Sequence, residues 1–354
     1  MNKTKYTTNT NNLNPHFVTG FCDAEGCFTI NISKNPRLTL GWSVKLVFSV
    51  HLHTKDLDSL YLVQRFFGVG SVTVHGDSAM FQVVKLNDLA CVLEHFNNYP
   101  LKTQKCADFL LFKKAFYIVN NKEYLTELGL RKLISIRASI NKGLPERLQV
   151  AFPNITPVLR AQLPKSTLDS NKPEVKHWIA GFVSGEGCFF IKTSKSKTHK
   201  LGMSVALNFY VVQNIRDAYL LESFVHVFGC GYYSLVEKSG IGTFAVSNFS
   251  NIVDNIIPLF EQYPILGAKA KDFEDFKQAS ILIKSKAHLT KRYKCNKKRK
   301  TATNTFKPLH LRFYTDYLHT CFRSTLKHVL IFFLNDEVET KSRRSRLVLR
   351  FFFF

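Results

Sequence analysis

Apolar and polar residues alternate along residues 41–53 (GWSVKLVFSVHLH). Val44, Leu46, Phe48, Val50 and Leu52 share one side, and Ser43, Lys45, Val47, Ser49, His51 and His53 share the other. This period of two predicts a long strand packed on one face only. The period then changes: residues 54–67 place Leu57, Leu60, Val63 and Phe67 at helical spacing and stop at Gly68 and Gly70. Short strands follow near 71–75 and 80–85, joined by the turn-forming HGDSA, and helices near 87–98, 101–119 and 122–141. With a helix over 15–25 and a strand over 27–33 in front, the order is helix, strand, strand, helix, strand, strand, helix. That order predicts an α+β unit, an antiparallel sheet with helices on its back and an open front.

The whole pattern occurs twice. NPHFVTGFCDAEGCFTINIS (14–33) returns as PEVKHWIAGFVSGEGCFFIKTS (173–194), FFGVG (66–70) as VFGCG (227–231), HFNNYPL (95–101) as LFEQYPI (259–265), and KCADF (105–109) as KAKDF (269–273). Residues 203–212 again alternate, with Met203, Val205, Leu207, Phe209 and Val211 against Ser204, Ala206, Asn208, Tyr210 and Val212. A tandem duplication predicts two pseudosymmetric halves, and the first helix of each is the natural seam between them. Gly20 and Ala24 in one helix, and Gly181 and Gly185 in the other, lie four apart on one face, so the two backbones can approach closely. Asn14 before Pro15 marks the start of the first helix, and Gly26 its end.

Glu25 and Glu186 occupy the last turn of these helices, where the macrodipole disfavours negative charge, and docking the helices adds mutual repulsion. Two penalties at matching positions call for a positive charge between them. A hard divalent cation, Mg²⁺, with oxygen ligands meets that need and activates water against a phosphodiester.

FVTGFCDAEG (17–26) and WIAGFVSGEG (178–187) resemble the paired signature motifs of single-chain LAGLIDADG homing endonucleases of the organelle-intron type, a similarity that extends over roughly residues 13–290. The resemblance implies a saddle of two antiparallel sheets built from αββαββα halves, acting as a monomer that hydrolyses both strands of a long asymmetric DNA site. It assigns metal binding and catalysis to Glu25 and Glu186, with the backbone carbonyls of Ala24 and Gly185 as further ligands. The acid two residues earlier is Asp23 in the first motif but Ser184 in the second. Ala206 and Ser234 stand where the family often has a polar and a basic residue near the cleavage centre. That departure keeps a second class open: an intron RNA maturase, or a weakly cleaving DNA binder on the same fold.

A strand rises about as much per residue as B-DNA does per base pair, so two open sheet faces can track about 20 base pairs. The side chains expected to read them are Thr29, Asn31, Ser33, Lys45, Ser49, His51, Thr73, His75 and Gln82 in the first half. In the second they are Lys192, Ser194, Lys195, Ser204, Asn208, Tyr210 and Tyr233.

Composition agrees with a polyanionic partner. The 354 residues carry a formal charge of +23, with 45% hydrophobic residues, enough for two cores. No apolar run reaches a membrane span of about 18 residues, and the polar start has no signal-peptide core, so an intracellular, non-membrane protein is expected. Eight cysteines show no zinc spacing, and Cys27 and Cys188 read as small apolar residues at the start of a buried strand. Residues 1–13 are expected to be a disordered leader, 14–141 and 173–290 the two halves, and 142–172 a linker with no element of its own. Residues 291–354 are expected to form a divergent tail, carrying 16 of the 49 lysines and arginines but 4 of the 26 acids. The resemblance also implies an organelle-encoded protein acting in a mitochondrion or chloroplast.

Overall fold

The computed structural model describes residues 13–163, 168–199 and 202–286. The expected leader, apart from Leu13, and the tail beyond residue 290 lie outside the described residues.

The first half runs α1 (Pro15–Glu25), β1 (Gly26–Lys34), β2 (Trp42–His53), α2 (Leu57–Phe67), β3 (Ser71–His75), β4 (Ser78–Val83), α3 (Leu86–Asn98), α4 (Lys105–Asn120) and α5 (Glu127–Ser139). After α6 (Glu146–Ala151), the second half repeats the plan. It runs α7 (Pro173–Glu186), β5 (Gly187–Lys195), β6 (Met203–Asn214), α8 (Ala218–Phe228), β7 (Tyr232–Val236), β8 (Ile241–Val246), α9 (Phe249–Asn251), α10 (Ile257–Gln262) and α11 (Ala268–Lys284), with a π-helical turn, Ile252–Ile256, between α9 and α10. Each half forms one four-stranded antiparallel sheet, in the orders β1-β2-β4-β3 and β5-β6-β8-β7. The fold is α+β, as the alternation predicts.

The two cores are built alike. Phe28 on β1 meets Phe48, Phe96, Phe109 and Phe112, and Phe189 on β5 meets Phe209, Phe260, Phe273 and Phe276, with ring centroids 5.1–5.6 Å apart. Each ring pair adds about 1 kcal/mol beyond the area it buries. Phe109 and Phe273 belong to the repeated KCADF and KAKDF, so the aromatic core fixes where α4 and α11 sit.

The helix expected over 122–141 forms as α5, Glu127–Ser139, after a 3₁₀ turn at Glu123–Leu125, and two further elements differ from expectation. The helix expected from residue 101 begins at Lys105, because the preceding amides are drawn to side chains elsewhere: Lys102 and Thr103 N–H donate to Asp23 (2.8 and 3.2 Å), and Gln104 N–H to Asp217 (2.7 Å). The linker contains α6, whose Leu148 is buried and whose Arg147 donates to the Ile32 carbonyl (3.4 Å). With Asn141 donating to the Phe28 carbonyl (2.8 Å), this segment satisfies part of the open edge of β1.

Behind α1, the Thr19 hydroxyl donates to the Tyr99 carbonyl (3.0 Å) and lies 3.0 Å from Nε2 of His95, which is 7% exposed. Burial pulls the His95 imidazole down to about 4. The unfolded chain therefore takes up a proton between about pH 6.5 and 4 that the folded chain refuses, and stability falls as pH drops through that window. His95→Leu, matching Leu259 in the repeat, is expected to remove on the order of 2 kcal/mol of that loss, read from urea midpoints at pH 7 and 4.5. Parallel pH profiles for the two proteins would rule this out.

Candidate active site

Helices α1 and α7 are buried along most of their length because each is covered by both halves. Their glycines set the contact. A Cβ on Gly20 would stand 2.0 Å from the Trp178 carbonyl oxygen, one on Gly181 2.0 Å from that of Phe17, and one on Gly185 2.4 Å from Cβ of Ala24. The fourth small residue keeps its methyl only because the partner position is glycine.

That closeness brings the last turns together. Oε1 of Glu25 lies 3.0 Å from where a Cβ of residue 185 would be. Both carboxylates are half-buried by exposed area. Glu186 is pushed up to about 7, first by burial and then by the charge on Glu25, with Lys269, Lys105 and a hydrogen bond from Gln213 acting against the rise. Burial also raises Glu25, opposed by Lys269 and Lys105 and aided by Asp56.

The two lysines are the principal site residues that periodicity did not single out. Lys105 Nζ donates to the carbonyls of Cys22 (3.0 Å) and Ala24 (3.2 Å), and Lys269 Nζ donates to the carbonyl of Gly185. Each is the first residue of the repeated KCADF or KAKDF, four before the phenylalanine anchored in the core. The repeat was the available signal, and only its chemistry was unread. Gln213, next to the end of β6, was likewise missed.

Asp23 accepts from the backbone amides of Lys102 and Thr103, the Thr103 hydroxyl (2.6 Å) and Nε1 of Trp178 (2.8 Å). It is 3% exposed, and four donors consume its acceptor capacity. Asp23 thus ties the loop before Lys105 to the opposite seam helix. At the matching position the Ser184 hydroxyl donates to the Ala180 carbonyl (2.7 Å) and accepts from Leu266 N–H (3.0 Å), holding the loop before Lys269. A hydroxyl suffices there, which accounts for the asymmetry of the two motifs.

The donor set at the seam is oxygen only: two carboxylates and the carbonyls of Ala24 and Gly185, which already attract the lysine ammoniums. Among the described residues no group of three or more His, Cys, Asp or Glu side chains converges. Hard oxygen ligands, excess negative charge and carbonyls at helix C-termini fit a hard divalent cation.

Strand pairing sorts the expected readers. Thr29, Asn31, Ser33, Lys45, Ser49, His51, Thr73, His75 and Gln82 all alternate away from the core set Phe28, Ile30, Phe48, Val50 and Phe81. In rows across the sheet, Asn31 faces Lys45, and Ser49 faces Gln82. Lys192, Ser194, Ser204, Asn208 and Tyr210 take the corresponding face of the second sheet.

Two expected readers do not. Tyr233 pairs with Phe244 in the row of Val211, so it faces the helix layer, with its ring against Gly242 and its hydroxyl buried without a partner among the described residues. Its neighbour Tyr232 is the one on the open face, 55% exposed. Lys195 pairs with Met203 and alternates off the open face at the sheet's outer end. Asn208 is 6% exposed on the open face, and among the described residues its Nδ2 has no partner, a buried donor still to be satisfied. Cys27 and Cys188, expected to be buried, are half-buried on the open face opposite Ser49 and Tyr210. Ala206 sits opposite Lys192, five residues along β6 from the Gly187–Val211 pair beside Glu186, whereas Ser234 pairs with Thr243 next to Val212.

A family model described as LAGLIDADG endonuclease matches residues 18–116 and 179–280. A curated relative from Neurospora crassa named probable intron-encoded endonuclease 2 is 38% identical over 291 residues, 79% of this chain; the chain spans 62% of that relative's length. The crystal structure of the I-SmaMI LAGLIDADG homing endonuclease bound to cleaved DNA superposes with a TM-score of 0.75 at 38% identity, covering 79% of this chain and 93% of that one. A second structure of that protein, bound to an uncleaved DNA target in the presence of calcium ions, gives 0.74 at 38% identity, covering 79% of this chain and 95% of that one.

Proposed function

The chain belongs to the LAGLIDADG endonuclease family, and from that premise we propose that it is a site-specific, divalent-metal-dependent DNA endonuclease that cuts both strands of a long target. The observation that carries this reading is the pairing of Glu25 with Glu186 at the closed end of two glycine-packed helices, each next to a carbonyl held by a lysine from its own half.

Glu25 and Glu186, with the carbonyls of Ala24 and Gly185, would hold the metal, Mg²⁺ in this reading. When bound, it supplies Lewis-acid activation of water and charge neutralisation at phosphate. The chain's own contribution is position and field. Lys105 and Lys269 put an ammonium beside each carboxylate, where charge develops on a phosphate. Gln213 orients Glu186, while Asp23 and Ser184 fix the loops from which the lysine helices start. Exposed Lys45 and Lys192 and the polar rows of both open faces would lie along the duplex, and the buried amide of Asn208 supplies a donor for a base or phosphate acceptor. Among the described residues no helix is long and apolar enough to cross a membrane. Expression from an intron accords with the name carried by the Neurospora relative; that the intron belongs to an organelle genome, with action in that compartment, is part of the proposal.

The test is purified protein, Mg²⁺ and a plasmid carrying the intron-insertion junction of the host gene. One double-strand break at the junction is expected. Tight binding to the intron RNA with both DNA strands left intact would point to a splicing role instead. Lys105→Ala and Lys269→Ala are each expected to cost about 100-fold or more in cleavage of one strand while binding persists, the usual scale for removing a preorganised charge-stabilising donor.

A further inference from the structure

Each helix that carries an active-site lysine starts with amides needing an acceptor, and each finds it in the other half. At the start of α4 the Gln104 N–H donates to Oδ1 of Asp217 (2.7 Å); at the start of α11 the Ala268 N–H donates to Oδ1 of Asp56 (2.6 Å). Asp217 follows β6 in the second half and Asp56 follows β2 in the first, at matching places in the repeat. The lysine is the next residue in both helices.

The contacts around this exchange are close. Gly267 has φ +75, and a Cβ there would meet Oδ1 of Asp56 at 2.5 Å, so glycine is what admits the carboxylate. Asp217 is 1% exposed, and nearby the Tyr219 hydroxyl donates to the Lys102 carbonyl (2.9 Å), a second tie to the same loop. A carboxylate at a helix start both accepts the free N–H and complements the dipole.

We propose that Asp56 and Asp217 are positioning residues that set the two lysines from across the pseudo-twofold, so that each lysine is aligned by the half that does not carry it. Both ammoniums act on both carboxylates, but Lys269 holds the carbonyl beside Glu186 and Lys105 the carbonyl beside Glu25, so each aspartate is expected to act most on the strand its own lysine governs. The predicted effect on cleavage rests on the nuclease reading; the effect on the helices does not.

The experiment uses the full chain and a duplex spanning the host-gene insertion junction, with the two strands labelled differently. Asp56→Ala is expected to slow the strand that Lys269→Ala slows, and Asp217→Ala the strand that Lys105→Ala slows, each by about fivefold or more relative to the other strand. Asp56→Asn and Asp217→Asn keep an acceptor oxygen and are expected to recover most of the rate. Hydrogen exchange without DNA is the second readout: Asp56→Ala should speed exchange in the first turn of α11, and Asp217→Ala in that of α4, by a similar factor. Equal slowing of both strands, or faster exchange spread over the whole chain, overturns the proposal. A wild-type protein that leaves the duplex intact while the variants show the localised exchange overturns the nuclease reading and supports the positioning role. Asp56 is only partly buried, so its variants decide the matter even if buried Asp217→Ala does not fold.

Discussion

Gly20→Ala is expected to destabilise the protein by on the order of 4 kcal/mol, more than a glycine-to-alanine change inside a helix would suggest. In an isolated helix the substitution is favourable by about 1 kcal/mol. Here the new methyl lands 2.0 Å from the Trp178 carbonyl oxygen and 2.9 Å from the Phe182 amide, both backbone atoms that no rotamer change can move. Relief requires α1 and α7 to part by more than 1 Å. That separation strains the Trp178–Asp23 hydrogen bond and pulls Glu25 from Glu186, so cleavage should fall with stability. Gly68→Ala is the control: its φ is +68 with nothing within 4 Å, so only the left-handed backbone penalty of about 1 kcal/mol applies. Urea midpoints for the two variants measure the contrast. Equal losses would mean the helices are not in backbone contact.

Glu186→Gln is expected to abolish cleavage and to stabilise the metal-free protein. The folded carboxyl, pushed up to about 7, keeps a proton that the unfolded chain releases near 4.5. Stability contributed by this group is therefore present at low pH, falls as pH rises from about 4.5 to 7, and is fully lost above 7. Glutamine keeps the shape without the charge. Without metal at pH 8 it should restore about 1–2 kcal/mol, a figure reduced from the full shift because the side chain is half-exposed. Near pH 4.5 the gain should vanish. Cleavage should fall by about 10³-fold or more, the scale of losing charge stabilisation at a metal centre. Tm in EDTA at both pH values, with plasmid linearisation in Mg²⁺, tests the pair of effects. An unchanged Tm at pH 8 would mean that the two carboxylates do not strain each other.

Both effects arise from one arrangement. Backbone contact at the glycines forces two acids into a half-buried space, and the lysines, drawn to the carbonyls at the same helix ends, offset only part of the resulting repulsion. The seam is therefore costly in the metal-free protein, and a bound cation would recover that cost.

The periods of two and 3.6, the repeat and the small residues of α1 and α7 sufficed for most of the strand faces, the two halves and the helices that meet. These are local or internally matched properties, fixed by backbone geometry and side-chain burial. What lay beyond the sequence was anything set by contact between distant segments. Lys105 reaches carbonyls more than 80 residues earlier in the chain, and Asp23 serves a loop and an indole rather than a metal. Asp56 and Asp217 cap helices in the opposite half. The phase of β7, by contrast, was legible in the repeat: aligning VFGCG with FFGVG sets Tyr233 at the place of Val72 and Tyr232 at that of Ser71, and the pairing with β8 turns Tyr232 outward. Sequence periodicity records which side of an element is covered. Which polar group answers another across the fold is decided only when both halves have docked.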